Sequence, residues 1–183
     1  MKPAHRPSQR EAALDAALDL LRDGGSLSLE SAARAAGLSK PGLMYHFSTK
    51  EALVAALVDH LIDDYERTFV ELLPNDGTDP SARERIAAYV EWSVTHAHDA
   101  ADLVTLCDPR LREVMGARWA ERFRPWLEVP ADLPDAERAR LHAVRLMADG
   151  CWYADATGIL PVPAADRTAL LATALRFLDG GDA

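Results

Sequence analysis

The stretch SLESAARAAGLSKPGLMYHFSTKEAL, residues 28–53, decides the fold of this chain. It contains two short helical segments that are separated by a tight turn at Gly37. Ser28 and Ser39 precede the two segments, where a side-chain oxygen can accept a hydrogen bond from the first turn of a helix. Two short helices joined by a glycine-containing turn form a helix-turn-helix, so the stretch predicts this motif, with Lys40 opening its second helix.

Helical patterning continues on both sides of this motif. Ser8-Gln-Arg-Glu11 fits a capping box, and Gly24-Gly25 ends the first helix that it opens. Ser48-Thr-Lys-Glu51 fits a second box at the start of a long fourth helix, in which Leu57 and Leu61 belong to an apolar stripe at helical spacing. The sequence therefore predicts a three-helix head followed by a long helix.

Turn residues mark where the next helices begin. The segment 74–80 is rich in turn residues, and Asp79-Pro80 is expected to cap a helix that runs to about residue 97. Asp99 and Asp108-Pro109 are expected to begin further helices.

Turn residues also separate the helices expected at the end of the chain. Two final helices are expected at about 135–158 and 164–179, separated by Pro161-Val-Pro163. Because no segment alternates with the period of a strand, we expect an all-α protein of about nine helices. Its head domain is expected at residues 1–50 and its body domain at residues 51–183.

The composition fits a globular protein without a membrane span. Of the 183 residues, 49 % are hydrophobic and 27 % are charged, which is enough for a core and a well-solvated surface. No uncharged apolar window is long enough for a spanning helix, and the N-terminus does not resemble a signal peptide, so we expect a cytoplasmic protein. Cys107 and Cys151 form no CxxC pair and are expected to be two buried thiols.

The charge is unevenly distributed. The net charge is −9, which by itself argues against nucleic acid as a partner. Residues 1–50, however, carry seven Lys or Arg against five Asp or Glu, while the remainder carries 13 against 24. A mildly basic head on an acidic body can bind DNA, because phosphate contacts are local.

At residues 28–53 the sequence resembles the tetracycline-repressor (TetR) family. Tyr45-His46-Phe47 followed by Ser48-Thr-Lys-Glu51 stands where that family's recognition helix ends, and the match covers about residues 8–60. Pro41-Gly42 replaces a Gly-Thr pair that is common early in the family's recognition helix, which affects the DNA sequence expected to be recognised. The resemblance implies a DNA-binding head joined to a ligand-binding and dimerisation body.

The resemblance also implies which head residues meet DNA. In a helix-turn-helix the second helix enters the major groove and its N-terminal residues reach base edges. By analogy, Lys40 is assigned to base edges or phosphate, and Ser39 and Tyr45 to phosphate. The full set of DNA-binding candidates is Ser28, Ser39, Lys40, Gly42, Tyr45, His46 and Lys50.

If the resemblance holds, the body forms a homodimer through its last two helices and encloses a pocket for a small-molecule effector. Apolar stripes such as Leu146 and Met147, and Leu171 and Leu175, are compatible with that dimer, although a monomeric bundle has the same stripes. Aromatic and methionine side chains commonly line small-molecule sites, and the body holds all four tryptophans. The ligand-binding candidates are Trp92, His96, Met115, Trp119, Phe123, Met147, Trp152 and Tyr153, with Cys107, Asp149 and Asp155 as further polar groups.

The function expected from these observations is a dimeric, ligand-responsive transcriptional repressor that binds a palindromic operator in the major groove and is released by an effector. The alternative is a small helical ligand-binding protein without DNA affinity, and an activator is also compatible with the sequence. No enzyme motif such as GxSxG, a P-loop or HExxH occurs, so neither catalysis nor a cofactor is expected. His96 and His98 lie two residues apart on a helix and point in different directions, which argues against a metal site.

Overall fold

A computed structural model of the chain describes residues 8–75, 77–106 and 112–180. Within them the protein is all-helical, as predicted, with eight α-helices, one 3-10 helix and no strand. The α-helices are α1 (Gln9–Arg22), α2 (Leu29–Ala35), α3 (Lys40–His46), α4 (Lys50–Leu72), α5 (Ala82–Thr95), α6 (Arg112–Leu127), α7 (Asp135–Thr157) and α8 (Ala164–Leu178), and the 3-10 helix (Ala100–Leu106) precedes α6.

None of the helices in the described ranges combines the length and apolarity that crossing a bilayer requires.

Cys151 is buried, and its burial raises the pKa of its thiol. Cys107 and the expected helix start at Asp108-Pro109 lie outside the described residues.

The chain forms two compact units. The first comprises the described residues of Met1–Leu61 and Ala100–Gly116, and the second those of Ile62–Asp99 and Ala117–Ala183. Two of the three boundaries fall inside helices, so α4 and α6 each contribute to both units, and the third falls between α5 and the 3-10 helix. The division predicted from the sequence, after residue 50, falls at the start of α4 and stays a prediction.

Reciprocal capping opens α1 in the first unit. The backbone N–H of Ser8 donates to the Glu11 carboxylate at 2.7 Å, and the N–H of Glu11 donates to the Ser8 hydroxyl at 3.2 Å. This satisfies two of the amide groups that a helix N-terminus leaves without an intrahelical partner. The predicted capping box is thereby confirmed.

The helix-turn-helix consists of α2 and α3. Gly37 has a φ of +66°, a conformation that side chains disfavour, and it allows the chain to turn between the two helices. Leu43 on α3 and Phe47, the residue that follows α3, are buried and belong to the core of the first unit, together with Leu14 on α1 and Leu57 on α4. Helix α3 begins at Lys40, as predicted from the sequence.

Two predicted helix caps are wrong by one or two residues. The hydroxyl of Thr49, rather than that of Ser48, accepts from the N–H of Ala52 at 3.1 Å, and α4 begins at Lys50. The cap of α5 is Ser81, not Asp79, because Ser81 and Glu84 form a reciprocal capping box that the motif at 79–80 cannot provide.

An aromatic core fills the second unit. The Phe69 ring on α4 makes edge contacts with several others, at centroid distances of 5.2 Å to Trp92 and 5.0 Å to Trp126. On α5, the rings of Tyr89 and Trp92 stack at 5.7 Å. Helix α5 packs against both α7 and α8, which also pack against each other.

Arg167 ties three segments of the second unit together. Its guanidinium donates to the backbone carbonyl of Val94 at 3.0 Å, to that of Val162 at 3.2 Å, and to the Asp155 carboxylate at 2.5 Å. Only 8 % of the Asp155 side chain is exposed, so its charge depends on this partner. A buried carboxylate that loses its cation is costly, because neither water nor another charge replaces the lost interaction.

We therefore expect the substitution Arg167→Met to destabilise the protein by about 3 kcal/mol. Urea unfolding of the variant at pH 7, followed by circular dichroism, measures this change. The double variant Arg167→Met, Asp155→Asn is expected to recover part of the loss, because it removes the uncompensated charge. Equal stabilities for the wild type and the single variant would contradict this account of Arg167.

Candidate DNA-binding surface and ligand cavity

The N-terminus of α3 is formed by the predicted residues Ser39 and Gly42. The Ser39 hydroxyl accepts from the Gly42 N–H at 3.1 Å and caps the helix. A Cβ atom at position 42 would lie 3.2 Å from that hydroxyl oxygen, so a side chain there would crowd the cap. Glycine therefore preserves the cap.

Lys40, the first residue of α3, forms an ion pair with Glu30 in the first turn of α2. Both side chains are about half exposed, so the pair lies at the surface. The hydrogen bond from Lys40 is the main cause that holds the pKa of Glu30 below its ordinary value. The predicted DNA-contacting lysine thus has an acidic partner within the same helix-turn-helix.

Tyr45 is the most exposed aromatic side chain of the head. Its exposed fraction is 88 %, and its ring contacts that of His46 edge-on at 5.2 Å. An exposed hydroxyl, a lysine and a helix N-terminus are groups that bind phosphate oxygens. Five of the seven predicted DNA-binding residues lie on α3 or cap it, namely Ser39, Lys40, Gly42, Tyr45 and His46.

The other two predicted residues lie at the ends of neighbouring helices. Ser28 caps α2 and forms a reciprocal box with Ser31, so it has a structural role in addition to the predicted one. Lys50 is the first residue of α4 and is half-buried. Nothing in the geometry of these two residues contradicts contact with the DNA backbone.

The second unit contains a cavity of about 890 Å³. Helices α5, α6 and α7 form its walls, and its size lies in the range that holds drug-sized molecules. Most of its lining is aromatic or apolar. The aromatic residues that line it are Tyr89, Trp92, Trp119, Phe123, Trp152 and Tyr153.

One polar cluster lies in the cavity wall. The Tyr89 hydroxyl donates to one oxygen of Asp149 at 2.8 Å, and Arg145 donates to the other oxygen at 2.7 Å. Burial and the neighbouring Asp149 carboxylate raise the pKa of the Tyr89 phenol well above its ordinary value. The phenol therefore stays protonated at neutral pH and acts as a donor toward Asp149.

The cavity brings together five of the eight predicted ligand-binding residues, Trp92, Trp119, Phe123, Trp152 and Tyr153. The other three do not line it. Met115 is buried in the first unit, Met147 is 36 % exposed on α7, and the exposed His96 lines a separate hollow of about 370 Å³.

Of the further polar candidates that the structure describes, one lines the cavity and one does not. Asp149 lines the cavity, while Asp155 pairs with Arg167 beside the smaller hollow, and Cys107 lies outside the described residues. In the ranges that the structure describes, no three His, Cys, Asp or Glu side chains come close enough to hold a metal ion.

Sequence reasoning missed Tyr89, Arg124, His142 and Arg145, which also line the cavity. Three of them are charged or ionisable side chains that the sequence pattern assigns to a solvated helix face. The spacing of positions 142, 145, 149 and 152 on α7 is the signal that finds His142 and Arg145, because residues three or four apart lie on one face of a helix.

Two family models match the chain. One, described as bacterial regulatory proteins, tetR family, matches residues 13–57. The other, described as tetracyclin repressor-like, C-terminal domain, matches residues 83–179. The first match includes the helix-turn-helix, and the second includes the residues that line the cavity.

Curated relatives agree with these matches. The HTH-type transcriptional regulator EthR of Mycobacterium tuberculosis (strain ATCC 25618 / H37Rv) is 28 % identical over 148 residues, which is 78 % of this chain and 68 % of EthR. The class C tetracycline repressor protein of Escherichia coli is 32 % identical over 119 residues, which is 57 % of this chain and 52 % of that repressor.

Solved structures share the fold. A TetR-family regulator from Rhodococcus sp. superposes with a TM-score of 0.63 at 18 % identity, covering 93 % of this chain and 98 % of that one. The multidrug binding protein EbrR complexed with malachite green superposes with a TM-score of 0.62 at 23 % identity, with the same coverage. Because the C-terminal model alone matches more than half of its residues, this chain belongs to the tetR family, whose members are DNA-binding transcriptional regulators and not enzymes.

Proposed function

We propose that this protein is a ligand-responsive repressor that acts in the cytoplasm as a homodimer. Helix α3 of each protomer binds one half of a palindromic operator in the major groove, and a small molecule in the cavity of the second unit releases the DNA. The observation that carries this proposal is α3 itself. Its residue Leu43 and the following Phe47 are buried, while Lys40 and Tyr45 remain at the surface.

The exposed groups of α3 suit the two kinds of contact that DNA recognition needs. The amides near Ser39 and the Tyr45 hydroxyl are suited to phosphate oxygens, which position the protein on the duplex. Lys40, at the N-terminal end of the helix, is in the part of a recognition helix that reaches base edges. The acidic net charge does not oppose this, because counterion release depends on the local contacts.

The double substitution Lys40→Ala, Tyr45→Ala is expected to weaken operator binding at least tenfold, or about 1.4 kcal/mol. Fluorescence anisotropy on duplex DNA from upstream of the protein's own gene, repeated at several salt concentrations, measures the affinity and its salt slope. The slope should become shallower because phosphate contacts are lost. Arg138→Ala on α7, in the second unit, is the matched control and should bind like the wild type.

If the wild-type protein binds this DNA no better than random DNA, a selection for bound genomic fragments is the next experiment. If that selection also yields no preferred sequence, the DNA-binding proposal is wrong, and the alternative of a helical ligand-binding protein takes its place.

The ion pair between Lys40 and Glu30 has a consequence for affinity. Lys40 must exchange the Glu30 carboxylate for a DNA acceptor, and Glu30 then remains near the DNA as a negative charge. We expect Glu30→Gln to bind DNA about three to ten times more tightly, with the larger gain at low salt. Anisotropy titrations on operator and random duplexes measure the effect.

Asp19→Asn is the control for the substitution at Glu30. Asp19 pairs with Arg22 on α1, so this change removes the same charge from another surface ion pair of the head. An equal gain from both substitutions would mean that net charge, and not the release of Lys40, sets the affinity.

The proposed dimer rests on exposed apolar residues of α7 and of the connection between α7 and α8. Leu146 is 58 % exposed on α7, and Ile159 and Leu160, between α7 and α8, are exposed as well. Exposed apolar surface of this kind is suited to an isologous contact with a second copy. Such a dimer sets two recognition helices roughly 34–36 Å apart, one turn of DNA, and requires a palindromic operator.

Leu146→Glu is expected to convert the dimer into a monomer, because the contact would bury two uncompensated carboxylates. Sedimentation equilibrium gives the mass, and anisotropy should show weaker operator binding. Val70→Glu alters a comparably exposed residue of α4 and should leave the dimer intact. A wild type that sediments as a monomer, or a Leu146→Glu variant that stays dimeric, rules out this interface.

The proposed response to effector runs through α4. In the second unit, Tyr65 on α4 contacts two cavity residues, with ring centroids 4.6 Å from Trp92 and 6.1 Å from Trp119. The same helix continues into the first unit, where Leu57 and Leu61 are buried. A ligand that displaces the aromatic walls can shift α4, provided that it binds the two states with different affinities, typically by 1–3 kcal/mol.

The aromatic lining suggests an aromatic effector. The multidrug binding protein EbrR is known in complexes with malachite green, ethidium and proflavin, which are aromatic molecules. We extend to this chain only the class of an aromatic ligand, since its own cavity is lined by six aromatic side chains.

A further inference from the structure

The cavity wall offers flat surfaces to a planar ligand. The rings of Trp119 and Phe123 stack at 4.7 Å with an angle of only 9° between them, and the Trp152 ring lies 6.1 Å from Trp119. Aromatic faces bind both neutral rings and cations, so the walls alone do not fix the charge of a ligand. The polar cluster at Asp149 indicates which charge on a ligand the cavity favours.

The Asp149 carboxylate of that cluster already has two hydrogen-bond donors. Each carboxylate oxygen of Asp149 receives a hydrogen bond, one from Tyr89 and the other from Arg145. The carboxylate is also neutralised by Arg145 at 2.7 Å. A cationic ligand would therefore have to compete with Arg145 for the Asp149 carboxylate, while the other carboxylate of the described lining, Glu128, is exposed.

The donors, by contrast, are in surplus. A guanidinium carries five N–H donors, and among the described residues Arg145 makes a hydrogen bond only to Asp149. Its side chain is 28 % exposed and lines the cavity, so a ligand can reach it. The indole N–H of Trp152 is buried without a partner, and it becomes a second donor if the ring turns toward a ligand.

The same unit contains an example of one arginine that holds two carboxylates. Arg122 binds Asp63 at 2.7 Å and Glu66 at 2.6 Å at the same time. Among the described residues Arg145 pairs with one carboxylate, so its remaining N–H groups can donate to a second acceptor. The remaining charged groups of the lining, Arg124 and Glu128, are exposed and of opposite sign, and His142 is exposed as well.

We propose that the cavity selects aromatic ligands that carry a negatively charged hydrogen-bond acceptor, such as an aromatic carboxylate, and that Arg145 binds this group. The inference rests on the proposed function of the cavity as an effector site and names the class of its ligand. The Arg145 guanidinium would then lie between Asp149 and the ligand, as Arg122 lies between its two carboxylates.

Two probes with the same ring system and opposite charges test this inference. Isothermal titration calorimetry with 2-naphthoate and with 2-naphthylmethylammonium compares their affinities for the full-length protein at pH 7. The wild type is expected to bind the carboxylate about tenfold more tightly than the ammonium ion. Ammonium binding that equals or exceeds carboxylate binding overturns the inference.

Substitutions in the cluster make the test specific. Arg145→Met should reverse the preference, because it exposes the Asp149 carboxylate to the cation. The double variant Arg145→Met, Asp149→Asn keeps the pair electrically neutral, avoids an isolated buried charge, and should bind both probes equally. Arg138→Met removes a guanidinium from the same helix outside the cavity and should retain the wild-type preference.

The results distinguish a wrong role for Arg145 from a wrong assignment of the cavity as an effector site, on which that role rests. If both probes bind with equal affinity, or the double variant keeps the preference for the carboxylate, the cavity remains a ligand site and only the role of Arg145 is wrong. If neither probe binds, the inference fails together with the effector role of the cavity, while the anisotropy titrations judge DNA binding independently.

Discussion

The burial of one continuous helix underlies the rest of this structure. Helix α4 supplies core residues to both compact units, with Leu53 and Leu57 buried in the first and Ile62 and Phe69 in the second. Because an α-helix repeats every 3.6 residues, its apolar stripe must stay in register along its whole length to serve two cores. A break in α4 would cost apolar burial in both units, so the helix is constrained to remain intact.

The fold could be predicted from the sequence because its strongest signals are local. A capping group and a glycine turn indicate where α3 begins, since Ser39 caps it and Gly37 adopts a positive φ before it. The errors occurred where two local signals compete. Ser48 and Thr49 are both suitable caps for α4, and only the course of the backbone decides in favour of Thr49. At α5, the prediction followed a proline motif although the serine after it completes a capping box.

The cavity was less accessible to sequence reasoning, because it depends on which helix faces meet. Aromatic content led to Trp119 and Phe123, which line the cavity, but equally to Met115, which is buried in the first unit. A count of aromatic residues does not distinguish a cavity wall from a core. Arg145 was overlooked because a charged residue on a helix is normally solvated, and its pairing with Asp149 becomes informative only once Tyr89 on α5 is seen to share that carboxylate.

In the proposed response, these contacts limit how an effector can act. Tyr65 contacts Trp92 and Trp119, so a ligand that moves these cavity residues alters the packing of α4 within the second unit. Well-packed aromatic contacts do not deform gradually, because small displacements already forfeit much of the dispersion energy. In the proposed response we therefore expect α4 to shift as a body, because the same helix contributes core residues to both units. A ligand that fits the cavity without displacing these rings would bind without changing DNA affinity, since it would not distinguish between the two states.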